Sequence, residues 1–450
     1  MLSRKRRGHL ELGRMSQLAS IIEKRAPGRA IPGEVFRIDA ARETELSRLL
    51  MLYIGTGLFF MLLPGTFLGV WNLMAISSHR AADSVSPAWV QAHGHAQIFG
   101  WIGSFILGIG FYSIPKLRHW NFGLWVEGAA WALWSSGVAL RWLANVYLWH
   151  WRILLPLSAA LELGAFLIFF RTVSGHRPPD SGKGKLDDWI LVVIAGTVGL
   201  LLALTLNVGS TVRLALKGTS PAVGSDFDQS FLVLQAWGFL VPFVWGFSIK
   251  WLPVFLGLQS AKGRVIWLAV ALNSLGVLES FLHWAKVAAL LLLAGVGVAT
   301  YALNLLRLPV RPAKIKGVHR SFPIFVRLAY AWALAAATLG VWAAVAGNPH
   351  GIAGASRHAL TVGFLAMMVF AIGQRVLPAF AGSALFSTKL MFTSLALLTA
   401  GCLLRVSAEI FAYQGFLHSA WSWLPISAVA EMAAVTVFAI NLIVSFARKF

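Results

Sequence analysis

The sequence contains one cysteine among its 450 residues and few charged side chains. Only 12% of the residues are charged and 17 are acidic, whereas 58% are hydrophobic. The single cysteine, Cys402, excludes an intrachain disulfide and any metal site built from several cysteines. The sequence also lacks a GxxxxGK[ST] phosphate loop, an HExxH pair and a CxxCH motif. These absences exclude a P-loop nucleotide-driven pump and a covalent c-type cytochrome.

The chain is rich in long apolar segments. Runs of about 20 apolar residues recur along it, and each is long enough to cross a hydrocarbon core roughly 30 Å thick. They predict an all-α polytopic membrane protein with about twelve transmembrane helices, at residues 48–73, 92–115, 121–144, 151–171, 187–208, 229–252, 263–283, 285–306, 322–346, 355–379, 388–412 and 421–446. The break between the seventh and eighth spans is the least marked, because only a short turn around His283 separates them. We expect no secretory signal peptide, because the first apolar run starts near Leu49, after a charged segment.

The excess of positive charge predicts how the chain crosses the membrane. The formal net charge is +21, but Lys and Arg concentrate in alternate loops. This distribution is the positive-inside pattern of a membrane protein and does not indicate nucleic-acid binding. It predicts that both termini lie on the cytoplasmic side of a bacterial inner membrane. Residues 1–46 would form a charged cytoplasmic arm, and residues 47–450 a single transmembrane domain.

One sequence pattern recurs at the start of the second, sixth and tenth spans, where its copies begin at His95, Val233 and His358. In the first and third copies two glycines and a proline follow the histidine at the same offsets, as Gly100, Gly110 and Pro115 and as Gly363, Gly373 and Pro378. The middle copy keeps the first glycine and the proline, has a serine at the second glycine position, and lacks the histidine. The spacing predicts three four-helix pseudo-repeats, at about 48–171, 187–306 and 322–446.

The histidines of two copies are candidate cofactor ligands. An imidazole inside a membrane helix is costly without a partner, so a functional role is expected for His358 and for His95 or its neighbour His93. His93 and His95 lie about 200° apart around a helix, so one helix does not readily present both to one small ion. One of them would ligate a haem, and the other would meet a second metal, a propionate or a neighbouring helix. The alternative is a helix-packing surface, because small residues at four-residue spacing are enriched in such contacts.

Three arginines in the predicted outer half of the membrane are candidates for holding the carboxylates of a cofactor. Arg357 is adjacent to His358, while Arg141 and Arg405 lie within the third and eleventh spans. Each is placed to form charge-assisted hydrogen bonds with a haem propionate or another carboxylate. The alternative for Arg357 is an interfacial start to its helix, held by water and lipid headgroups.

Two further roles are open. The candidate ligands of a copper ion are His93, His95, His358 and the loop residue His350. Glu162 and Glu431, within the fourth and twelfth spans, are candidate proton-relay residues, although a neutral buried carboxyl group is an equal alternative.

Several segments resemble the NnrS family, whose members are described as membrane proteins that contain haem and copper and take part in nitric-oxide metabolism. The most specific match is SRHALTVGFLAMMVFAIGQRVLPAFAG at 356–382, which is close to the HALTVG signature of that family. AHGHAQIFG at 92–100, GFSIKWLPVFLG at 246–257, VRLAYAWALAAATLGVWAA at 326–344 and LLRVSAE at 403–409 also resemble family segments. The chain departs from the family pattern at Gln91, Ala96 and Lys250, where a tryptophan, an acidic residue and an arginine are expected.

A more distant resemblance is to subunit I of the haem-copper oxidases, which include nitric-oxide reductases. That subunit also has twelve spans in three four-helix units, with low-spin haem ligands on spans two and ten, where His95 and His358 lie. Its catalytic metal centre needs further histidines, for which this chain offers residues 233–235 on span six and Ser356 on span ten. The resemblance therefore implies that an oxidase-type binuclear centre is absent or rebuilt.

Together these features predict a haem-binding inner-membrane protein of the NnrS type, acting in nitric-oxide metabolism or nitrosative-stress resistance. The expected cofactor is haem b, with copper as a second candidate, and the expected partners are the lipid bilayer and a small diatomic gas, nitric oxide or oxygen. The first alternative is a divergent oxidase-like enzyme that reduces nitric oxide or oxygen. The second is a transporter or copper-handling factor, in which Gln229 and Gln235 on span six would matter more. No catalytic residue and no electron donor are predicted.

Overall fold

The computed structural model describes residues 40–118, 123–174, 187–347, 349 and 351–448. Within these ranges the chain is helical and contains no strand. Twelve long helices follow one another: α1 (40–79), α2 (87–118), α3 (Leu124–Tyr147), α4 (Trp151–Ser174), α5 (Asp188–Lys217), α6 (Ser225–Leu256), α7 (Gly263–Phe281), α8 (Ala285–Ala302), α9 (Phe322–Val345), α10 (Ile352–Phe380), α11 (Thr388–Tyr413) and α12 (Ala420–Ala447). Each predicted span coincides with one of these helices, so the predicted fold class is confirmed. The cytoplasmic placement of the termini and the division at residue 46 stay predictions.

Eleven helices in the described ranges are long and apolar enough to cross a membrane. The remaining long helix, α3, has the length but is more polar, because it carries Glu127, Arg141 and Asn145. All three of these side chains are buried against other helices. Polar residues on a membrane helix normally face the bundle interior, and the burial of these three side chains therefore agrees with a position of α3 within the bundle.

The helices repeat in three groups of four. In every group the third and fourth helices, α3 with α4, α7 with α8 and α11 with α12, form an extensive antiparallel contact. A glycine on each third helix permits this close approach. A Cβ atom on Gly137, Gly276 or Gly401 would lie only 2.9, 3.1 or 3.3 Å from a backbone oxygen of the partner helix. Small residues at such contacts let membrane helices pack backbone to backbone.

The second helix of each group lies at the centre of the bundle. The buried share of the apolar window is 72% in α2, 67% in α6 and 61% in α10, against 50% or less in the other eight spanning helices. Because α2 and α10 are central, side chains on them meet other helices on most sides. His93, His95 and His358 are therefore surrounded mainly by protein.

The repeated sequence pattern has a shared backbone signature. In α2, α6 and α10 the α-helix changes to a π-helical segment one residue after the first residue of the pattern, at Ala96–Gly103, Leu234–Leu240 and Ala359–Ala366. A fourth such segment, Met61–Phe67, surrounds Pro64 in α1. π-helical insertions are rare and occur frequently at functional sites, because they change the direction in which side chains project. The three copies are thus equivalent in structure as well as in sequence.

Candidate functional site

His93 is held between α2 and α1. Its Nδ1 atom lies 2.8 Å from the backbone oxygen of Gly65, within the π-helical segment of α1. The imidazole packs on Gly69 so closely that any Cβ atom there would collide with the ring. A carbonyl oxygen only accepts hydrogen bonds, so the ring proton is on Nδ1 and the neutral ring keeps its lone pair on Nε2.

His358 has the same tautomer on α10. Its Nδ1 atom lies 3.0 Å from the backbone oxygen of Gly354 and 3.3 Å from Oε2 of Glu409 on α11. The Gly354 carbonyl accepts the hydrogen bond from Nδ1, and the Glu409 carboxylate faces the same nitrogen at ion-pair distance, which again leaves the Nε2 lone pair available. The side chain of His358 is 26% exposed, so protein atoms do not enclose the ring completely.

The structure brings His93 and His358 into the same region. His93 lies within electrostatic range of His358 and of Arg405, which α11 contributes. Two imidazoles from different helices, each donating Nδ1–H to a carbonyl and each with Nε2 available, form the arrangement typical of metal-ligating histidines. Of the two candidates on α2, His93 is the one that shares a neighbourhood with His358.

Arg405 supplies a buried positive charge beside this pair. Its Nη2 atom donates a hydrogen bond of 2.8 Å to Oε1 of Glu409, and only 5% of Arg405 is exposed. The Nε and Nη1 atoms of Arg405 are buried without a hydrogen-bond partner, as is Oε1 of Glu431 nearby. Unpaired buried donors on a cation are costly, so this site suits an additional anionic group.

These residues fit a haem. Haem iron needs only axial ligands from the protein, and His93 and His358 are of the right type and tautomer. Haem propionates would give the unpaired donors of Arg405 an acceptor. Among the described residues there is no group of three or more His, Cys, Asp or Glu placed to hold a metal ion.

His95 belongs to a second cluster on the opposite side of α2. Its Nε2 atom lies 2.7 Å from Oε1 of Glu162 on α4, and its ring stacks on Phe99 with 4.6 Å between ring centroids. His95 is 7% exposed and Glu162 is fully buried. The Nε2 atom that would bind iron is thus occupied by a carboxylate.

Arg141 extends this second cluster across four helices. Its Nη1 atom donates a hydrogen bond of 3.0 Å to Oδ1 of Asn207 on α5, and the amide nitrogen of Asn207 lies 3.5 Å from Oε2 of Glu162. Arg141 is also within electrostatic range of Asp228, near the start of α6. Hydrogen bonds therefore connect Arg141 through Asn207 and Glu162 to His95, and Asp228 lies within electrostatic range of Arg141.

The two clusters are related by the pseudo-repeat. Arg141 and Arg405 each lie four residues after the contact glycine of a third helix, within GVALR at 137–141 and GCLLR at 401–405. Glu162 and Glu431 end SAALE at 158–162 and SAVAE at 427–431, and each packs on that glycine. In the middle unit the matching residues are Val233, Ser280 and Leu292. The outer two units therefore carry a His, Arg and Glu set that the middle unit lacks.

The other predicted site residues have different side-chain partners. Arg357 donates a hydrogen bond of 2.7 Å to Oε1 of Gln229 on α6. Both line a cavity of about 450 Å³ between α6, α8, α9 and α10, together with the exposed His283. Gln235 is buried near the centre of α6. His350 lies outside the described residues.

Three partners of the histidine pair, Glu409, Gly65 and Gly69, could not be predicted from the sequence. Glu409 is part of the LLRVSAE segment, but nothing in the spacing indicates that it meets His358, which lies 51 residues earlier. Gly65 and Gly69 of α1 carried no signal as partners of His93. The repeated GxxxR and SxxxE pairs were a signal that would have identified the two clusters.

Comparison with solved structures supports the fold. A chain in a cryo-EM structure of a haem-copper terminal oxidase dimer is similar, with a TM-score of 0.53 and 12% sequence identity. The match covers 91% of this chain and 84% of that chain. No protein-family model matches the chain. The comparison with curated proteins gives no match either. This likeness supports the oxidase-like arrangement of helices, while membership of the NnrS family stays a prediction.

Proposed function

We propose that this protein is a haem-binding membrane protein of the NnrS type, which acts in nitric-oxide metabolism or nitrosative-stress resistance. The observation that carries the proposal is the pair formed by His93 and His358. They come from two central helices, share a tautomer with available Nε2 atoms, and lie beside the unpaired donors of Arg405. The similarity of its fold to that of a haem-copper terminal oxidase also supports the proposal that it binds haem.

Each residue of the site has a part in holding the cofactor. His93 and His358 would ligate a b-type haem, and the carbonyls of Gly65 and Gly354 orient the two rings. Arg405 would neutralise a propionate, while Glu409 keeps the arginine in place. When bound, the haem supplies a one-electron centre for exchange with a small diatomic gas or a redox partner.

The second cluster would handle protons. Glu162 and His95 share a hydrogen bond in the buried interior, and Arg141 and Asn207 connect them towards Asp228. A titratable pair at the end of a polar path can take up a proton when charge changes nearby. Because Arg141 belongs to this cluster, we place it in proton handling rather than in propionate binding.

Reduced-minus-oxidised optical spectra of the purified protein, with metal analysis, test the proposal. We expect a b-type haem band that disappears in His93→Ala and in His358→Ala, and that persists in His95→Ala. His95 is the matched control because it lies on the same helix and two residues away. A band that survives both of the first two substitutions would overturn the assignment of the ligands.

Two alternatives have distinct outcomes in the same preparation. Consumption of nitric oxide or oxygen with an artificial electron donor would favour a divergent oxidase-like enzyme. Copper without haem would favour a transporter or copper-handling factor, for which the cavity at Gln229 and Arg357 offers a route. The bacterial inner membrane remains the proposed location in each case.

A further inference from the structure

The connection between α8 and α9 is unusually apolar and basic for an exposed segment. Leu306, Leu308 and Val310 are 83%, 88% and 62% exposed. The basic residues of the same connection are Arg307, Arg311, Lys314, Lys316 and Arg320. Exposed leucines that alternate with arginines are typical of a segment in the interface of a membrane, with its apolar groups in the acyl region and its cations at the headgroups.

This connection is fixed to the end of α6. The backbone N–H groups of Val310 and Lys314 donate hydrogen bonds of 2.9 Å and 3.0 Å to the carbonyl oxygens of Gly257 and Phe255. Gly257 adopts a φ of +70°, and any side chain there would collide with the backbone of Arg311. The leucines and arginines therefore keep a defined position relative to the helices.

A cavity of about 350 Å³ lies between this connection and the adjoining ends of α8 and α9. Two arginines, Arg307 and Arg327, are among the residues that line it. Arg327 donates Nε–H to the backbone oxygen of Leu305 at 3.1 Å and Nη2–H to that of Arg307 at 3.4 Å, which leaves Nη1 for an external acceptor. The remaining lining is mainly apolar and includes Leu308, Ala331 and Leu334.

We propose that this cavity binds an anionic phospholipid, with the phosphate between Arg307 and Arg327 and part of an acyl chain against Leu308, Ala331 and Leu334. Basic pockets between membrane helices bind anionic headgroups through charge-assisted hydrogen bonds. A zwitterionic headgroup fits less well because its cationic group finds no acidic side chain in this part of the sequence. The 129 residues from Ser280 to Ala408 contain no Asp or Glu.

The test measures lipid binding to the purified full chain by native mass spectrometry, with phosphatidylglycerol and phosphatidylcholine as probes. We expect preferential retention of phosphatidylglycerol, and about fivefold weaker binding in Arg307→Gln, because one basic residue near a membrane surface contributes that factor. Arg264→Gln is the control, since it removes an exposed arginine from the start of α7, outside the cavity. Ala331→Trp keeps every charge but fills the apolar part, and it should weaken binding as well.

Three results would overturn the proposal. The first is equal retention of the two lipids by the parent protein. The second is unchanged phosphatidylglycerol binding in both Arg307→Gln and Ala331→Trp, or equal weakening in Arg264→Gln. The third is full competition by inorganic phosphate, which would mean that the phosphate binds without the acyl chain. Because Arg307 and Ala331 are exposed, these substitutions leave the core of the bundle intact.

Discussion

At the scale of single residues, the proposed site depends on which nitrogen of each imidazole is occupied. His93 and His358 use Nδ1 for backbone carbonyls, whereas His95 has Nε2 on a buried carboxylate. Backbone carbonyls are reliable anchors because they move only with the helix that carries them. The availability of Nε2 is therefore a property of the packing around α1 and α10.

Gly69 provides a sharp test of this packing. In Gly69→Ala the new methyl group would collide with the imidazole of His93 and displace it. We expect haem affinity to fall about 10- to 100-fold, the usual effect of disturbing the group that orients a metal ligand. Gly94→Ala is the matched control, because nothing lies within 4 Å of a Cβ atom at Gly94, next to His93 itself. Haem titration of both variants measures the effect, and equal affinities would contradict the prediction.

Arg405 and Glu409 form the buried ion pair of the site. Removing the carboxylate in Glu409→Gln leaves the arginine without its partner, so we expect the free energy of unfolding to fall by about 3–5 kcal/mol. The double variant Arg405→Gln with Glu409→Gln removes both charges and should recover much of this loss. Denaturant unfolding in detergent measures both variants. A double variant as unstable as the sum of the single variants would show that the pair is not coupled.

At the scale of elements, the π-helical segments decide the direction of the histidines. In α2 and α10 a π-helical segment begins directly after His95 and His358, and α6 has its segment at the same place without a histidine. A change from π to α geometry removes one residue from a turn. It rotates the preceding part of the helix by about 100° relative to the following part.

Deleting Thr361 from the segment in α10 should therefore turn His358 away from His93. We expect the protein to assemble but to lose most of its haem band. Deletion of Ala236 from the equivalent place in α6 is the control, because that helix carries no proposed ligand. Size-exclusion chromatography shows whether each variant is folded, and optical spectra give the haem content. Equal haem loss in two folded deletion variants would refute the role of the segment in α10.

At the scale of the whole molecule, three similar four-helix units build a bundle in which only the outer two carry the polar set. In the middle unit apolar or small residues replace the histidine, arginine and glutamate. A buried charge without a partner costs several kcal/mol. A unit that binds no ligand is therefore not expected to keep a buried arginine and glutamate. The asymmetry concentrates the proposed chemistry between the first and third units.

The orientation of the bundle is a prediction from charge. If both termini are in the cytoplasm, the connections rich in Lys and Arg lie inside, and the proposed lipid cavity faces the inner leaflet. We expect green fluorescent protein fused after Phe450 to fluoresce, and alkaline phosphatase fused after Trp149, in the α3–α4 connection, to be active. Exchanging the two reporters should abolish both signals. The reverse pattern would invert the bundle and the placement of every site in it.

The number, type and approximate limits of the helices could be predicted from the sequence, because length and hydropathy alone determine which segments cross a bilayer. The sequence also predicts the short turn between α7 and α8, where His283 adopts a φ of +61°. The threefold repeat was visible because His95, Val233 and His358 begin copies of one pattern. Partners could not be predicted, since Glu409 and Gly65 meet the histidines only when distant helices pack together. Spacing predicts that His93 and His95 point to opposite sides of one helix, but the position of α2 between α1, α4 and α10 decides which neighbours each imidazole meets.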